Sequence, residues 1–357
     1  MGGVARWRGA GRLVTAPLEL SRAQILAHRR RVGALEGRLP PGADSLRRAA
    51  WAGLQDSMPR AALLSIHARV ERTQPTAWED PSLVQVWGPR FSAFVVAALD
   101  AAVFTLGRLP DDPAGLKRAE STADRLESFL AGRTMSYADA GHGIGIDPNM
   151  LRYGTPTGRI RIRWEGARRP TIWTVPRPDV EPAEARRELA RRYLTVLGPG
   201  TAETFAEWAG IRAPRAHRIF DDLAPELAAV RTPIGDGWIL AADEPSFGRA
   251  AAEPDPSVVR LLPSGDAWFL LWGADRTLLV PDAGRRGELW TSRVWPGAIL
   301  VGGEIAGVWR RASAAVSLAT WRTLSPVERD AVVAEAESLP LPDVAGRIAV
   351  SWEDAAV

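Results

Sequence analysis

Three consecutive polar residues, Gln55, Asp56 and Ser57, end an apolar run and come just before Pro59. We predict a tight interhelical turn here, with Ser57 as the N-cap of a helix that begins at Pro59, because serine caps well and proline suits a first helical turn. A carboxamide and a carboxylate on such a corner can cap a helix, contact DNA or catalyse a reaction. As a catalyst, Asp56 would activate a water or stabilise an oxocarbenium-like sugar cation of a flipped nucleotide. The alternative is an ordinary polar turn without further function.

A basic hairpin is the second feature that could bind a ligand. Strict alternation places Arg159, Arg161 and Arg163 on one face of a strand, and Arg168 and Arg169 follow in the turn to the next strand. Such a concentration of positive charge is typical of a wing that contacts DNA phosphates, and the alternative is a solvated strand face. A later hairpin is bracketed in the same way by three further arginines, Arg293, Arg310 and Arg311.

Composition excludes several classes of chemistry. Cysteine is absent and the four histidines are scattered, so we expect no metal ion and no other cofactor. Lys117 is the only lysine, so apart from the N-terminus no obvious amine could form a Schiff base. No apolar run approaches the roughly 18 residues that span a bilayer, and residues 1–16 lack the apolar segment of a secretory signal. We therefore expect a cytoplasmic protein that binds no membrane.

The elements that would position these residues are predicted to recur three times. Ser21 and Asp44 act as N-caps of two helices, a third helix covers 59–70, and a strand covers 90–96. Three short helices followed by a strand are the ingredients of a winged helix-turn-helix unit. The same order repeats twice, with helices predicted over 114–130, 184–197, 201–208 and 214–223 and hairpins over 159–175 and 227–240.

We therefore predict an α+β fold of three tandem winged-helix units followed by a small β-barrel with a C-terminal helix. The predicted divisions are a basic tail at 1–17, winged-helix units at 18–112, 113–180 and 181–241, a linker at 242–256, and the barrel at 257–357. Strands of the barrel are expected at 258–262, 267–272, 278–281, 298–301, 304–309 and 315–322. Ser325 then begins a helix to about residue 338.

Several short motifs follow one another in a characteristic order. The first motifs are 53–59 with Arg69, followed by Trp78 and Pro81 ahead of Arg90 and Asp100. The later motifs are 198–201 with Trp208 and Gly210, then 262–266, Asp275 with Arg276, and 303–311. Their order and spacing resemble the winged-helix DNA glycosylases of the AlkZ/YcaQ type. The resemblance covers nearly the whole chain after residue 20.

The resemblance implies a C-shaped clamp around duplex DNA. Family members that are enzymes excise bulky alkylated purines and unhook interstrand crosslinks. Their catalytic signature is Gln-x-Gln or Gln-x-Asp, of which Gln55 matches the first position and Ser57 stands at the last. Asp56 occupies the usually apolar middle position, and Phe94 stands where a histidine is frequent. Around this turn we expect DNA contacts from four basic residues, Arg60, His67, Arg69 and Arg90.

Two functions of different classes remain open from the sequence. The leading hypothesis is a winged-helix DNA-binding protein that acts as a monofunctional glycosylase, with Gln55 placing water or the sugar and Asp56 or Ser57 supplying the remaining polar contact. The alternative is a non-enzymatic transcriptional regulator or architectural DNA-binding protein. A protein scaffold would be favoured only if the basic hairpin were buried. We expect a monomer on double-stranded DNA, since three dissimilar units can enclose DNA without a partner.

Overall fold

The computed structural model describes residues 17–56, 58, 60–165, 170–249, 255–342, 344 and 346–353 and shows a mixed α and β fold. The helices are α1 (Arg22–Val32), α2 (Ala43–Ala49), α3 (Ala61–His67), α4 (Ala101–Leu106), α5 (Pro113–Leu130), α6 (Tyr137–Gly143), α7 (Pro182–Leu197), α8 (Ala202–Ala209), α9 (Ala213–Leu223), α10 (Glu244–Gly248), α11 (Asp275–Leu279), α12 (Ala283–Leu289) and α13 (Pro326–Glu337). The strands are β1 (Leu18–Glu19), β2 (Leu54–Gln55), β3 (Leu83–Trp87), β4 (Ala93–Ala97), β5 (Met135–Ser136), β6 (Ile160–Arg163), β7 (Thr171–Thr174), β8 (Leu227–Thr232), β9 (Gly235–Leu240), β10 (Val259–Leu262), β11 (Gly297–Val301), β12 (Glu304–Ala312), β13 (Ala315–Thr320) and β14 (Ala349–Trp352). Short 3-10 helices include Pro89–Phe91, Pro148–Thr157 and Ala267–Phe269.

Capping residues in the sequence explain most helix starts. Ser21, Thr201 and Ser325 each accept a hydrogen bond from the backbone of the first helical turn, which confirms the predicted N-caps. The predicted cap at Asp44 is wrong, because Gly42 precedes α2 and Asp44 lies inside its first turn. An acidic residue at that place favours the helix through the positive end of the helix dipole instead.

The first sheet joins two regions that the sequence assigned to separate units. Its strand order is β2-β4-β3-β6-β7-β5, and β3 meets β6 through the pair Gln85 and Ile162. Burial alternates along β6, with Ile160 and Ile162 in the core and the arginines on the other face. The predicted basic hairpin therefore exists as β6–β7, but it is the extension of a six-stranded sheet rather than a free wing.

The predicted closed β-barrel is wrong for the part of the chain that the structure describes. Strands β10 to β14 form one open sheet in sequence order, with β10 and β14 at its edges. Two segments expected as strands are helical instead, namely Ala267–Phe269 and α11. Short apolar runs do not distinguish a buried strand from a buried helical turn, and without these two strands the sheet lacks the members needed to close.

One large core unites segments that are distant in sequence. It includes Leu26 of α1, Phe104 of α4, Trp208 of α8 and Leu300 of β11. The N-terminal strand β1 pairs in parallel with β8, and the third sheet has the order β1-β8-β9. None of the helices in the described ranges has the length and apolar character needed to cross a bilayer.

The first part of the predicted linker at 242–256 is packed structure. Helix α10 places Phe247 in the core, where its ring stacks on His28 at 3.7 Å between centroids. The imidazole of His28 also bonds the Thr195 carbonyl oxygen at 2.9 Å. Helix α10 therefore packs against α1, and α1 is bonded in turn to α7.

Candidate active site

The polar turn is fixed to strand β4. Gln55 is the last residue of β2 and pairs with Phe94, and the Asp56 amide donates to the Ala93 carbonyl oxygen at 2.8 Å. Ser57, predicted as N-cap and catalytic residue, and Pro59 lie outside the described residues. Helix α3 begins after Arg60, whose backbone is left-handed with φ of 65° and whose side chain makes no capping bond.

Asp56 faces the interior of the protein. Its carboxylate accepts hydrogen bonds from the Ala62 amide at 3.0 Å and from Gln85 Nε2 at 2.8 Å, and the residue is 2% exposed. Burial raises the pKa of Asp56 to about 7, although these two bonds and the charge of Arg60 oppose the shift. The first turn of α3 thus donates a hydrogen bond to the Asp56 side chain, which ties the helix to the sheet.

Gln55 lies in a more open position and is held by an arginine. Its Oε1 accepts a hydrogen bond from Arg90 Nη2 at 2.9 Å. Arg90 also donates to the Trp208 carbonyl oxygen and stacks over the Trp272 ring at 4.5 Å. Burial lowers the pKa of Arg90 to about 10, and no acidic side chain contributes to that shift. A buried positive charge therefore stands beside the carboxamide, supported by neutral acceptors and a ring.

The turn that carries Arg90 is conformationally strained. Arg90 and Phe91 both have positive φ values, 54° and 57°, which are uncommon for residues other than glycine. Gly210, after α8, lets the chain pack against this turn, since a Cβ there would lie 2.7 Å from the Arg90 amide nitrogen. Strain of this kind is concentrated at functional sites. The left-handed backbone of this turn sets the position from which the Arg90 guanidinium reaches Gln55.

A buried ion pair holds the opposite side of the site. Asp266 accepts two hydrogen bonds from the Arg69 guanidinium, at 2.7 and 2.8 Å, and one from Ser65 Oγ at 2.6 Å. The preceding residue, Gly265, has φ of 77°, and a Cβ there would lie 3.2 Å from Gln55 Cδ and Nε2. The Arg69–Asp266 pair thereby fixes the loop that lies against Gln55. Because Arg69 is buried, we assign it this structural role instead of the predicted DNA contact.

Two other basic residues near the turn are also engaged by the protein. His67 is buried, its Nε2 lies 3.1 Å from Ser338 Oγ, and burial lowers its pKa to about 4. We assign it a structural role, not the predicted DNA contact. The guanidinium of Arg60 stacks over the Trp78 ring at 4.1 Å.

Acidic side chains pair with Arg159 and Arg163 of the basic hairpin. Arg159 bonds three carboxylates of α5, those of Glu120, Asp124 and Glu127. Arg163 pairs with Glu79 at 2.9 Å and Glu165 at 3.1 Å. Arg161 donates to the Gly158 carbonyl oxygen at 2.9 Å, and burial lowers its pKa. Arg168 and Arg169 lie outside the described residues, and the remaining arginines singled out by the sequence are exposed, namely Arg293, Arg310 and Arg311.

Sequence reasoning missed three residues of the site. Gln85 of β3 connects Asp56 to the hairpin, since its Oε1 accepts from the Trp164 amide at 2.6 Å. Trp272 and Gly265 reach Gln55 and Arg90 from the C-terminal half of the chain. Gly265 lies in the segment 262–266 that carries the family resemblance, which was the available signal. Gln85 and Trp272 have no local signal, because sheet pairing and long-range packing alone bring them here.

Fold and site define a class of protein. Residues 48–340 match the family model described as DNA glycosylase AlkZ-like, so the chain belongs to the AlkZ-like DNA glycosylase family. It is similar to an interstrand DNA cross-link repair glycosylase of Streptomyces sahachiroi, with 27% identity over 249 residues. That alignment covers 65% of this chain and 62% of the relative, which is less than two thirds of the relative's length.

The fold is similar to a solved structure, that of the Streptomyces sahachiroi DNA glycosylase AlkZ. The TM-score is 0.74, and the match covers 94% of this chain and 100% of that chain. Sequence identity in this comparison is 17%, so the likeness concerns the fold. Among the described residues, no three histidine, aspartate or glutamate side chains are grouped as a metal site would require.

Proposed function

We propose that this protein is a monofunctional DNA glycosylase that releases alkylated purines, including crosslinked ones, from double-stranded DNA. The observation that carries the proposal is the placement of Gln55. Its carboxamide is bonded to Arg90 and packed against Gly265 at the point where the family has its first catalytic residue. Family membership supports base excision over the alternative of a non-enzymatic regulator.

The chemistry of the lesion suits a neutral carboxamide. Alkylation at N7 gives the purine a positive charge, so the base leaves without first being protonated. The protein then has to place a water and stabilise the sugar cation that forms. Arg90 holds the Gln55 carboxamide through the bond to its Oε1. We assign this carboxamide to the attacking water or to the sugar.

Asp56 and Ser57 receive different roles in this proposal. Asp56 is buried and bonded through both carboxylate oxygens, so it acts as a positioning residue that holds the Gln55 turn and α3 together. Ser57 takes the second position of the family signature and supplies a polar contact with the nucleotide. Contacts with the phosphate backbone of DNA are assigned to the side chains of three exposed arginines, namely Arg293, Arg310 and Arg311.

We infer further that the helix–hairpin segments at 18–112, 113–180 and 181–241 are winged-helix units. With residues 257–357 they would clasp duplex DNA in a C-shape, as a cytoplasmic monomer. Support comes from the order of elements, because α7, α8 and α9 are followed directly by the β8–β9 hairpin. The shared sheet of the first two units would set their relative orientation.

Base release from defined duplexes tests this function. The protein is incubated with duplexes that carry N7-alkylguanine or an interstrand crosslink, and abasic sites are scored against a lesion-free duplex. We expect abasic sites from the damaged duplexes only. We expect no strand incision, because the single lysine leaves no obvious Schiff-base nucleophile. Salt-sensitive binding of duplex DNA without base release from any lesion would identify a non-enzymatic regulator instead.

A further inference from the structure

A pocket lies directly behind the strained turn at Arg90 and Phe91. It has a volume of about 150 Å³ and is formed where the turn meets the start of α5 and the connection between α8 and α9. Two aromatic rings line it, Phe91 and Tyr153, which meet edge to face at 4.9 Å. The other lining residues include four arginines and one acid, namely Arg108, Arg118, Arg212, Arg215 and Asp112.

The positive charge of this pocket is only partly balanced. Arg215 is paired with Asp111 at 2.9 Å, and the Asp112 carboxylate accepts from the Gly115 amide at the start of α5. Arg118 and Arg212 are exposed, and no carboxylate in the described ranges lies within 4.0 Å of either. These two arginines are therefore available to an anion.

Arg108 adds a buried cation that has no acidic partner in the part of the chain that the structure describes. It is 4% exposed, bonds the carbonyl oxygens of Ala209 at 3.0 Å and Trp87 at 3.4 Å, and lies 4.4 Å from the Phe91 ring centroid. Burial, together with the neighbouring charges of Arg90 and Arg215, lowers its pKa to about 9. A buried charge without a counter-ion is costly, and an anion in the adjacent pocket would relieve that cost.

The pocket and the Gln55 site share one structural support. Arg90 and Phe91 are consecutive residues with left-handed backbones, so the turn sends Arg90 toward Gln55 and Phe91 into the pocket. Gly210 both lines the pocket and packs on the Arg90 backbone. The pocket and the Gln55 site therefore lie on the two sides of one turn.

We propose that this pocket binds a phosphodiester group of the damaged strand, next to the nucleotide that is presented to Gln55. The inference rests on the proposed action on DNA. Planar guanidinium groups bind phosphate oxygens bidentately, and aromatic rings pack against sugars or unstacked bases. Arg118 and Arg212 contact the phosphate, Arg108 supplies the buried charge beneath, and Phe91 and Tyr153 form the apolar wall.

The salt dependence of binding gives the first test. Affinity is measured for a duplex with a tetrahydrofuran abasic-site analogue, over a range of salt concentrations, for wild type and for the double variant Arg118→Gln, Arg212→Gln. We expect the slope of log Kd against log salt to fall by about 1 for each arginine, and affinity at fixed salt to fall about 10-fold. The control Arg347→Gln, an exposed arginine paired with Glu337, keeps the wild-type slope. A double variant with the wild-type slope would overturn the proposal.

Neutral phosphate analogues locate the contact. Single methylphosphonates are placed at each position around the lesion, and wild type should lose affinity at one or two of them. The double variant should lose nothing further at those positions, because the arginines that read the charge are gone. Equal losses in both proteins would contradict the assignment.

A free phosphate ion has the same charged oxygens as a phosphodiester of DNA. Binding of inorganic phosphate is therefore measured to distinguish the two ligands. If phosphate binds saturably and the double variant loses that binding while keeping duplex affinity, the pocket serves a free anion and the proposal is wrong. The duplex measurements are repeated in a Gln55→Ala background, because binding does not require base release. If the double variant lowers the slope by the same amount in this background and wild type releases no base, the proposed function is wrong and the phosphate site is still supported.

Discussion

Two groups of arginines in this protein look alike in sequence and differ in their partners. Arg90 and Arg108, beside the Gln55 turn, are mostly buried, and among the described residues they bond only neutral acceptors and rings. Arg159 and Arg163, on the β6–β7 hairpin, are surrounded by carboxylates. The first group has positive charge that a nucleic acid can neutralise, whereas the protein itself neutralises the second.

This difference shows why arginine density alone is a weak guide to a DNA-binding surface. The hairpin has strict alternation and adjacent arginines, yet the acidic partners of Arg159 lie on α5, 32 to 39 residues earlier in the chain. Surface ion pairs of that kind contribute little to stability and offer little free charge. A buried arginine without a carboxylate is costly to the fold, and such a cost is expected where an anionic substrate binds.

The largest effect is expected at a buried arginine that does have a carboxylate. Asp266→Asn leaves the Arg69 charge buried without its counter-ion, and we expect the free energy of unfolding to fall by about 3–5 kcal/mol. Denaturant titration measures the change. The loop that packs Gly265 against Gln55 should loosen as well, so base release should fall with stability. A variant as stable as wild type would show that this pair is not what holds the site.

Removal of an arginine without an acidic partner should separate activity from stability. Arg90→Met keeps most of the apolar volume but removes the Arg90 hydrogen bond to the Gln55 carboxamide, and we expect base release to slow by about 100-fold. The free energy of unfolding should change by no more than about 1 kcal/mol, since the substitution also removes an unpaired buried charge.

Arg163→Met is the matched control for Arg90→Met. Arg163 also stacks on a tryptophan, Trp78, at 4.7 Å, but it has carboxylate partners. We expect it to leave base release unchanged. If the two substitutions slowed base release equally, the distinction between the two groups of arginines would be wrong.

The buried carboxyl of Asp56 should give the site a measurable pH dependence. In the folded protein its pKa is about 7, against an ordinary value of 3.8, so the folded state keeps its proton longer than the unfolded state does. Stability from this group is therefore full below about pH 4 and is lost as the pH rises through 7. Between pH 5 and pH 8, wild type should lose about 2 kcal/mol of stability relative to Asp56→Asn.

Comparison with Asp56→Asn is needed because His67 acts in the opposite direction. Its folded pKa is lowered to about 4, so its contribution is full above about pH 6.5 and is lost as the pH falls through 4. The difference between wild type and Asp56→Asn cancels that contribution. Asp44→Asn, at an exposed carboxyl in α2, serves as the control and should show no such difference. A pH-independent difference at Asp56 would contradict the raised pKa of its buried carboxyl.

The smallest effect is expected on the hairpin. Arg159→Gln breaks ion pairs with partly exposed carboxylates, and the free energy of unfolding should fall by less than about 1 kcal/mol. The salt dependence of duplex binding should stay at the wild-type slope, because this charge is already neutralised. A slope reduced by about 1 would show instead that the hairpin contacts phosphate as the sequence predicts.

Local signals in the sequence predicted what depends on a few neighbouring residues. The N-caps Ser21, Thr201 and Ser325 mark helix starts correctly, and the alternation at Ile160 and Ile162 gives the right buried face. The motifs around Gln55 identified the family. These features need no knowledge of distant contacts.

Features that depend on contacts between residues far apart in the sequence could not be predicted from local signals. The pair Gln85 and Ile162 merges two predicted units into one sheet, and Asp56 turns inward because Gln85 and Ala62 are there to bond it. The predicted barrel failed for a different reason, because apolar runs near Phe269 and Leu278 suit helical turns as well as strands.

The most direct test of the account is the single-turnover rate of base release by Gln55→Ala on a duplex with N7-alkylguanine. Asp56→Asn is measured beside it, and affinity for the abasic-site analogue is measured for both. We predict that Gln55→Ala slows base release by about 100-fold or more with unchanged affinity, because it removes a contact made at the reacting sugar. Asp56→Asn should slow it less, since that residue acts through the turn. Base release at the wild-type rate by Gln55→Ala would contradict the assignment of this site.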